Sequence, residues 1–383
     1  MRSTSLRASA LVAAAAAASL LASGCTSATD DSASGGSSAS AGSAHSACVQ
    51  KAQAVVDKAR APLPLAVPTA TLDGSKMAGK NIWVISILSN QWTQDVNTGL
   101  KKAAKDLGIH LTIFDGQGQV DKWNQGIEQA IADKADGIIM NSIDPAVVSQ
   151  AVADAAAAHI PVLNAMSAKT GAPTAPGIYA NMQADNYTDG YNTAAWMIAD
   201  SGCKADALVM YASGVVVWDA QQAGANQAFK DLCPTTCKVT TKVIDLANIA
   251  TDMPRQTQTE LTKDKNIDYV YPVQDSAVPF IEPAITQINP SIKIVSRDGV
   301  ASNLDALRGG SSLQKVDVSM PAGPWFGYAF IDDISRAVLG MAPSGVQVPT
   351  MLIDKSNVAS SNANLFPAYS DYEGAYKKVW SIG

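Results

Sequence analysis

Short apolar runs alternate with longer helical segments along most of this chain, and this alternation constrains the fold more than any other feature. Residues 82–88 are largely apolar and rich in β-branched side chains, as expected of a strand buried on both faces. Residues 93–107 then carry apolar side chains at helical spacing. Strands that alternate with helices of this length predict βαβ units on a parallel sheet.

The alternation occurs twice along the chain. In the first half, further strands are predicted at residues 110–114, 137–141 and 160–164, and helices at 121–133 and 145–158. An extra strand is predicted at 177–182. The pattern then resumes with helices at 187–200, 218–231, 254–263 and 276–288, which alternate with strands at 207–211, 239–246, 267–272 and 292–296. Strands at 316–320 and 347–353 and a helix at 325–339 complete the prediction. Two α/β sheets joined by several crossings would leave a cleft at the carboxyl ends of their strands, where such folds bind ligands.

The first residues have the composition of an export signal. Arg2 and Arg7 precede an apolar stretch at residues 8–21, which is too short to span a bilayer. The segment Leu21-Ala22-Ser23-Gly24-Cys25 that ends it resembles the lipobox of bacterial lipoproteins. That resemblance implies cleavage before Cys25, lipidation of its thiol and a location on the extracytoplasmic face of the cell membrane. An ordinary secretory signal with a chance cysteine is the alternative, and it also exports the chain.

Composition then divides the chain into parts. Residues 26–44 are almost entirely small or polar and cannot bury enough apolar surface to become ordered. A helix is predicted at 46–60, followed by an extended segment that begins at Pro62. The predicted parts are a signal peptide (1–24), a flexible tether (25–45), an N-terminal helix and extended segment (46–79), an N-terminal lobe (80–184 plus 321–349) and a C-terminal lobe (185–320 plus 350–383).

Charge and motifs argue against several functional classes. The chain has 28 basic and 34 acidic residues, and the predicted cleavage removes two of the basic ones, so a nucleic-acid partner is not expected. It contains no Gly-x-Ser-x-Gly, His-Glu-x-x-His or Walker sequence. We therefore expect no enzyme activity and no cofactor. Asp332 and Asp333 are expected on a solvated helix face.

Four cysteines remain if Cys25 is lipidated, and an exported chain permits disulfides. Cys203 precedes one predicted strand, and Cys233 and Cys237 precede the next. We expect a bridge from Cys203 to Cys237 or from Cys233 to Cys237, and the state of Cys48 stays open. A zinc site would need a fourth nearby ligand, so no metal is expected.

The order of elements is similar to that of the type I periplasmic binding proteins, in particular their sugar-binding branch. The similarity runs from residue 80 to about 355 and rests on seven passages in the right order. They are residues 85–92, 114–117, 135–141, 158–162, 184–186, 272–275 and 296–299. The resemblance implies a monomeric substrate-binding lipoprotein of an ABC importer, which binds a carbohydrate and then docks on permease subunits. It also implies closure about three hinge segments, near 181–184, 297–300 and 320–322.

The same resemblance implies a set of ligand-binding residues. They are Asn90, Trp92, Asp185, Asn186, Trp218, Asp219, Gln274, Asp275, Asp298 and Met320. Trp92 would stack on a sugar ring, or would belong to the core of the following helix. Asn90 and Asp185 would bind hydroxyls, or would cap helices. One of Gln274 and Asp275 would face the cleft.

The sequence departs from the family pattern at two cationic positions. Met166 and Ser167 stand where the family has an Asp-Arg pair, and Ala225 stands where it has an arginine. Met166, Met320 and Trp325 would make the pocket more apolar, so the ligand could be a less polar sugar, a larger glycoside or another metabolite. Two alternative functions remain: a lipoprotein that signals to a membrane receptor, and a hydrolase that uses Asp185 and Asp298.

Overall fold

The computed structural model describes residues 37–321, 323–359 and 366–382, with side chains from residue 46 onward. Cys25, the signal peptide and residues 25–36 of the predicted tether lie outside the described residues. The described residues from 43 onward form one compact unit. None of the described helices is both long and apolar enough to cross a membrane.

The N-terminal lobe is built on a five-stranded sheet of order β2-β1-β3-β4-β5, in which every pairing is parallel. Its strands are β1 (Asn81–Ser86), β2 (His110–Asp115), β3 (Gly137–Asn141), β4 (Val162–Ala165) and β5 (Ile178–Met182). The helices between them are α2 (Gln91–Leu107), α3 (Val120–Ala132) and α4 (Ser149–Ala157). All residues of β3 and β4 are buried, as the apolar runs predicted.

The C-terminal lobe is built on a six-stranded sheet of order β11-β10-β9-β8-β6-β7. Its strands are β6 (Asp206–Tyr211), β7 (Lys238–Val243), β8 (Tyr269–Tyr271), β9 (Lys293–Asp298), β10 (Gln314–Ser319) and β11 (Met351–Asp354). Its helices are α5 (Asn186–Asp200), α6 (Val216–Leu232), α7 (Ile249–Lys263), α8 (Val278–Ile288) and α9 (Ala301–Gly309). Only β11 pairs antiparallel. The predicted α/β architecture of two lobes with parallel sheets is confirmed.

Glycines let the two helices on one face of each sheet cross closely. A Cβ on Gly99 of α2 would lie 2.0 Å from the carbonyl oxygen of Pro324, which is in α10 (Gly323–Val338). In the other lobe, a Cβ on Gly224 of α6 would lie 2.0 Å from the carbonyl oxygen of Tyr187 in α5. Side chains at these positions would force the helices apart, so glycine sets the spacing of both pairs.

The chain crosses between the lobes three times: between β5 and α5, between β10 and α10, and between α10 and β11. The prediction of a hinge segment at 297–300 is therefore wrong. There β9 leads into α9, which packs on β10 of the same lobe. The backbone N–H of Val300 donates to the buried carboxylate of Asp275 at 2.8 Å, which holds the turn within the C-terminal lobe.

Helix α1 (Ser37–Ala59) begins before the predicted residue 46, so residues 37–45 of the expected tether are helical. The helix is tied to the C-terminal lobe. Cys48 at its middle is bonded to Cys203, and Arg60 just after its end pairs with Asp354 of β11. The following segment runs along the N-terminal lobe, where the N–H of Leu72 donates to the carbonyl of Val379 at 2.8 Å. Residues 46–79 therefore connect both lobes.

The last residues belong to the N-terminal lobe, although residues 350–383 were assigned to the other one. Among the described residues, β11 and the segment after it up to Ala359 follow that prediction, since Arg308 Nε of the C-terminal lobe donates to the carbonyl of Ala359 at 2.6 Å. Helix α11 (Tyr372–Val379) packs on α10, and Trp380 stacks on Tyr328 with ring centroids 5.3 Å apart. The aromatic face of α10 would otherwise meet water, which explains the correction.

Asp332 and Asp333 in α10 are both buried, so the prediction of a solvated face is wrong. Asp332 accepts hydrogen bonds from Arg336 Nε at 2.6 Å and from Trp380 Nε1 at 2.8 Å. Arg336 also donates through Nη2 to the carbonyl of Ala70 at 2.7 Å. The ion pair of Asp332 and Arg336 is covered by the segments that contain Ala70 and Trp380. Because both segments are far away in the chain, the sequence around α10 does not predict this burial.

The four remaining cysteines form two disulfides, Cys48–Cys203 and Cys233–Cys237. The Cys203–Cys237 option is therefore wrong, because α1 brings Cys48 against the end of α5. The Sγ atoms of Cys48, Cys203 and Cys233 all lie within 4.8 Å of one another, so the two bridges are neighbours.

Candidate functional site

A cavity lies between the lobes at the carboxyl ends of both sheets, and we call it the central cavity; it encloses about 510 Å³ of space, counting the part open to solvent. From the N-terminal lobe it is lined by Ile87, Leu88, Asn90, Trp92, Thr93, Ser142 and Met166. From the C-terminal lobe it is lined by Val215, Val217, Trp218, Leu246, Gln274, Arg297 and Asp298. Its position, at the carboxyl ends of the strands of both lobes, is that of a small-molecule site in an α/β protein.

Unusual backbone angles cluster where the strands enter this cavity. Ser142, Met166 and Asp298 end or directly follow strands and have φ of 64°, 61° and 130°. Val273, which precedes Gln274, has φ of 54°, an unfavourable value for a β-branched residue. Strained residues of this kind concentrate at ligand sites, so the backbone marks the same place as the cavity.

Two tryptophans line the cavity from opposite lobes. Trp92, in the first turn of α2, packs edge-on against Phe326 with ring centroids 5.6 Å apart, and its Nε1 is buried without a partner among the described residues. It is thus both a core residue and a cavity wall, so the two interpretations are compatible. Trp218 lies in the first turn of α6 and is 7% exposed. A flat ligand between the lobes would meet aromatic surface from both sides.

Asn90 and Gln274 supply neutral polar groups. Asn90 caps α2, where its Oδ1 accepts from the backbone N–H of Thr93 at 2.9 Å, and its amide nitrogen remains available to a ligand. Gln274 ends the loop after β8 and is buried in the cavity wall. Both amides can bind hydroxyl groups in either direction.

The charged wall of the cavity is formed by Arg297 and Asp298 at the end of β9. Arg297 is 3% exposed and donates from Nε to Asp189 at 2.9 Å and from Nη1 to Asp298 at 3.1 Å. Its Nη2 has no partner among the described residues. Burial raises the pKa of Asp298 to about 7; Arg297 opposes this rise and nearby Asp317 adds to it.

Asp275 was predicted as a cavity residue, but the structure places it beneath the wall. Its carboxylate accepts from Val300 N at 2.8 Å, from Gln314 Nε2 at 3.1 Å and from the hydroxyl of Ser296. Burial, reinforced by neighbouring Asp317, raises its pKa well above the ordinary value. Asp275 therefore supports the turn that carries Asp298, and Gln274 is the residue that faces the cavity.

Four other predicted residues do not line the central cavity. Asp185 is an exposed cap of α5, where its Oδ1 accepts from Thr188 N at 3.2 Å. Asn186 and Asp219 line a separate outer recess together with Asp185. Met320 is 1% exposed in the core of the N-terminal lobe. Asp185 and Asp298 thus line different cavities, so the structure does not bring together the carboxylate pair of the hydrolase alternative.

The sequence pattern does not identify Arg297 as a cavity residue, and it wrongly places Trp325 in the pocket. Arg297 was not among the predicted ligand-binding residues, yet it supplies a cation to a cavity from which the family's cationic positions are missing. Trp325 was expected in the pocket but is fully buried in the core, and its Nε1 donates to Ala66 O at 3.3 Å. Val215 and Leu246 follow strands β6 and β7, and their place at strand ends was the signal that could have identified them.

Comparison with known proteins agrees with this geometry. The periplasmic binding protein domain matches residues 82–332 of the chain. Ribose import binding protein RbsB of Bacillus subtilis (strain 168) is 30% identical over 79 residues, which is 21% of this chain and 26% of that protein. The chain thus matches about a quarter of the length of that relative.

Solved structures share the fold over most of the chain. A sugar ABC transporter protein from Yersinia enterocolitica has a TM-score of 0.70 at 20% identity and covers 83% of this chain and 99% of its own. An ABC transporter solute binding protein from Agrobacterium vitis with bound allitol has a TM-score of 0.65 at 20% identity, covering 74% and 97%. An ABC sugar transporter subunit from Rhodobacter sphaeroides has a TM-score of 0.65 at 19% identity, covering 73% and 100%. With two parallel-sheet lobes and a family match over more than half of its length, the chain belongs to the periplasmic binding protein family.

Proposed function

We propose that this protein is the extracytoplasmic substrate-binding lipoprotein of an ABC importer, and that it captures a sugar or sugar-like small molecule in the central cavity. The observation that carries this proposal is the placement of Trp92 and Trp218 on opposite lobes, around one cavity that also holds Gln274, Arg297 and Asp298.

This wall chemistry suits a sugar. The C–H face of a pyranose packs on aromatic surface, and its hydroxyls need both donors and acceptors. Arg297 and Asp298 together offer both. Solved relatives bind comparable molecules: the Agrobacterium vitis protein holds allitol, and one from Actinobacillus succinogenes holds D-allose.

Hinge closure is the mechanism that this arrangement supports. The lobes approach each other at the edge of the cleft, where a Cβ on Gly118 would lie 3.5 Å from Leu246 Cγ. A ligand that contacts both lobes favours this closed arrangement by its difference in affinity for the closed and open states. The closed form would then dock on the permease.

The test is a thermal-shift panel of sugars, polyols and nucleosides on residues 26–383. A ligand at 100 times its Kd should add about 2.7 kcal/mol of stability, which gives a visible shift in Tm. A shift with sugars supports the proposal. A shift only with another metabolite class would show that the substrate assignment is wrong.

Lipidation rests on the lipobox and needs its own test. The full chain and its Cys25→Ser variant should be expressed in a Gram-positive host and fractionated. We expect the unaltered chain in the membrane fraction and the variant in the precursor form or in the medium. Equal processing and equal membrane association of both would contradict lipidation at Cys25.

A further inference from the structure

A second cavity lies beside the central one, and alanines and prolines form most of its wall. We call it the alanine recess; it encloses about 1270 Å³ of space, counting the part open to solvent. Its small apolar side chains are Pro145, Ala146, Ala153, Ala156, Ala168, Ala172, Pro173, Ala175 and Pro176. The polar residues on this wall are Asp144, Ser149, Asn164, Ser167, Lys169 and Asn181.

Adjacent residues of the chain line the two cavities. Met166 lines the central cavity and the next residue, Ser167, lines the alanine recess. Val215 and Val217 line the central cavity, and Val216 between them lines the recess. Because Val216 belongs to the C-terminal lobe, the recess is complete only when the lobes are together. A ligand that reaches into it would contact both lobes.

Asn164, on the wall of the recess, has a side-chain oxygen that lacks a hydrogen bond within the described residues. The side chain is 2% exposed, and its Nδ2 donates to Ser167 O at 3.1 Å and to Asn181 Oδ1 at 3.0 Å. Its Oδ1 is buried without a hydrogen-bond partner among the described residues. A buried acceptor left unpaired is costly, so a ligand hydroxyl that donates to it would gain affinity.

We propose that the alanine recess is a second ligand subsite, which holds the aglycone of a glycoside whose sugar ring occupies the central cavity. This inference rests on the proposed function. The alanine and proline side chains favour an apolar aglycone, and the unpaired Asn164 Oδ1 favours one hydroxyl on it, which donates to that oxygen. The ligand class is therefore a glycoside of a small phenol or similar alcohol.

The test compares two neighbouring alanines of α4. Ala156 and Ala157 are both exposed, but only Ala156 lines the recess. Residues 26–383 and the Ala156→Phe and Ala157→Phe variants would be titrated calorimetrically with common hexoses and pentoses. Each sugar would be tested free and as both anomers of its 4-hydroxyphenyl glycoside.

We expect a 4-hydroxyphenyl glycoside to bind at least tenfold more tightly than its free sugar. Ala156→Phe should remove that advantage and leave the affinity for the free sugar within twofold, whereas Ala157→Phe should behave as the unaltered chain. If free sugars bind and no glycoside binds more tightly, or if Ala156→Phe weakens both equally, the subsite is refuted and the proposed function stands. If neither probe binds, both fail.

Discussion

Arg297 donates from Nε to Asp189 Oδ2 at 2.9 Å, so an ion pair buried behind the central cavity joins strand β9 to helix α5. The exposed fractions of the two side chains are 3% and 0%. This pair holds the guanidinium in place while Nη1 reaches Asp298. The cation of the site is thus positioned by a residue that does not line the cavity.

Asp189→Asn should destabilise the protein by about 3 kcal/mol, because it leaves Arg297 buried with one counter-ion fewer. Urea unfolding measures the change. The control is Asp185→Asn on the same helix, where asparagine still caps and the loss should stay below about 1 kcal/mol. Equal losses in both variants would show that the buried pair has no special role.

The raised pKa of Asp298, about 7, predicts a pH dependence of stability. Between the ordinary value of 3.8 and about 7, the folded protein binds more protons at this site than the unfolded chain. The free energy of unfolding therefore falls as pH rises through this interval. Asp298→Asn should remove this contribution, so its stability should decline less between pH 4 and pH 7. Parallel curves for the two proteins, measured by urea unfolding, would contradict the raised pKa.

Trp92→Leu should weaken ligand binding about tenfold through lost stacking surface. Trp83→Leu is a matched control, because both indoles are buried in the N-terminal lobe, each with an Nε1 that has no partner in the described part of the chain, and Trp83 does not line the central cavity. Both variants should lose comparable stability. Calorimetry with the ligand that the thermal-shift panel identifies measures the affinity of each variant. Equal affinities of Trp92→Leu and Trp83→Leu for that ligand would assign Trp92 to the core alone.

The two disulfides should differ in their effect on stability. Cys48 and Cys203 are 155 residues apart, whereas Cys233 and Cys237 are 4 apart. From loop entropy, replacing the first pair by serine should cost about 5 kcal/mol and replacing the second about 2 kcal/mol. Denaturant unfolding of the two double variants, without reductant, compares them. A larger loss from the short loop would mean that strain or packing outweighs chain entropy.

The local pattern predicted the strands, the edge at which they meet and the helices other than α9 and α11. Trp92, Trp218, Gln274 and Asp298 follow or end parallel strands, so their place at one cavity could be argued from order along the chain. Their binding roles stay predictions. Asp185 and Asn90 show the limit of this reasoning, because a cap and a ligand residue have the same sequence context at a helix start.

The sequence by itself determined the two-lobed α/β fold, because the period of apolar residues specifies strands and helices locally. Only the tertiary structure decided that Arg297 lines the cavity while Asp275 lies beneath it, that Cys48 pairs with Cys203, and that the last helix returns to the N-terminal lobe. Each of these depends on contacts between residues far apart in the chain. Such contacts are settled by how whole elements pack together, and no local period encodes them.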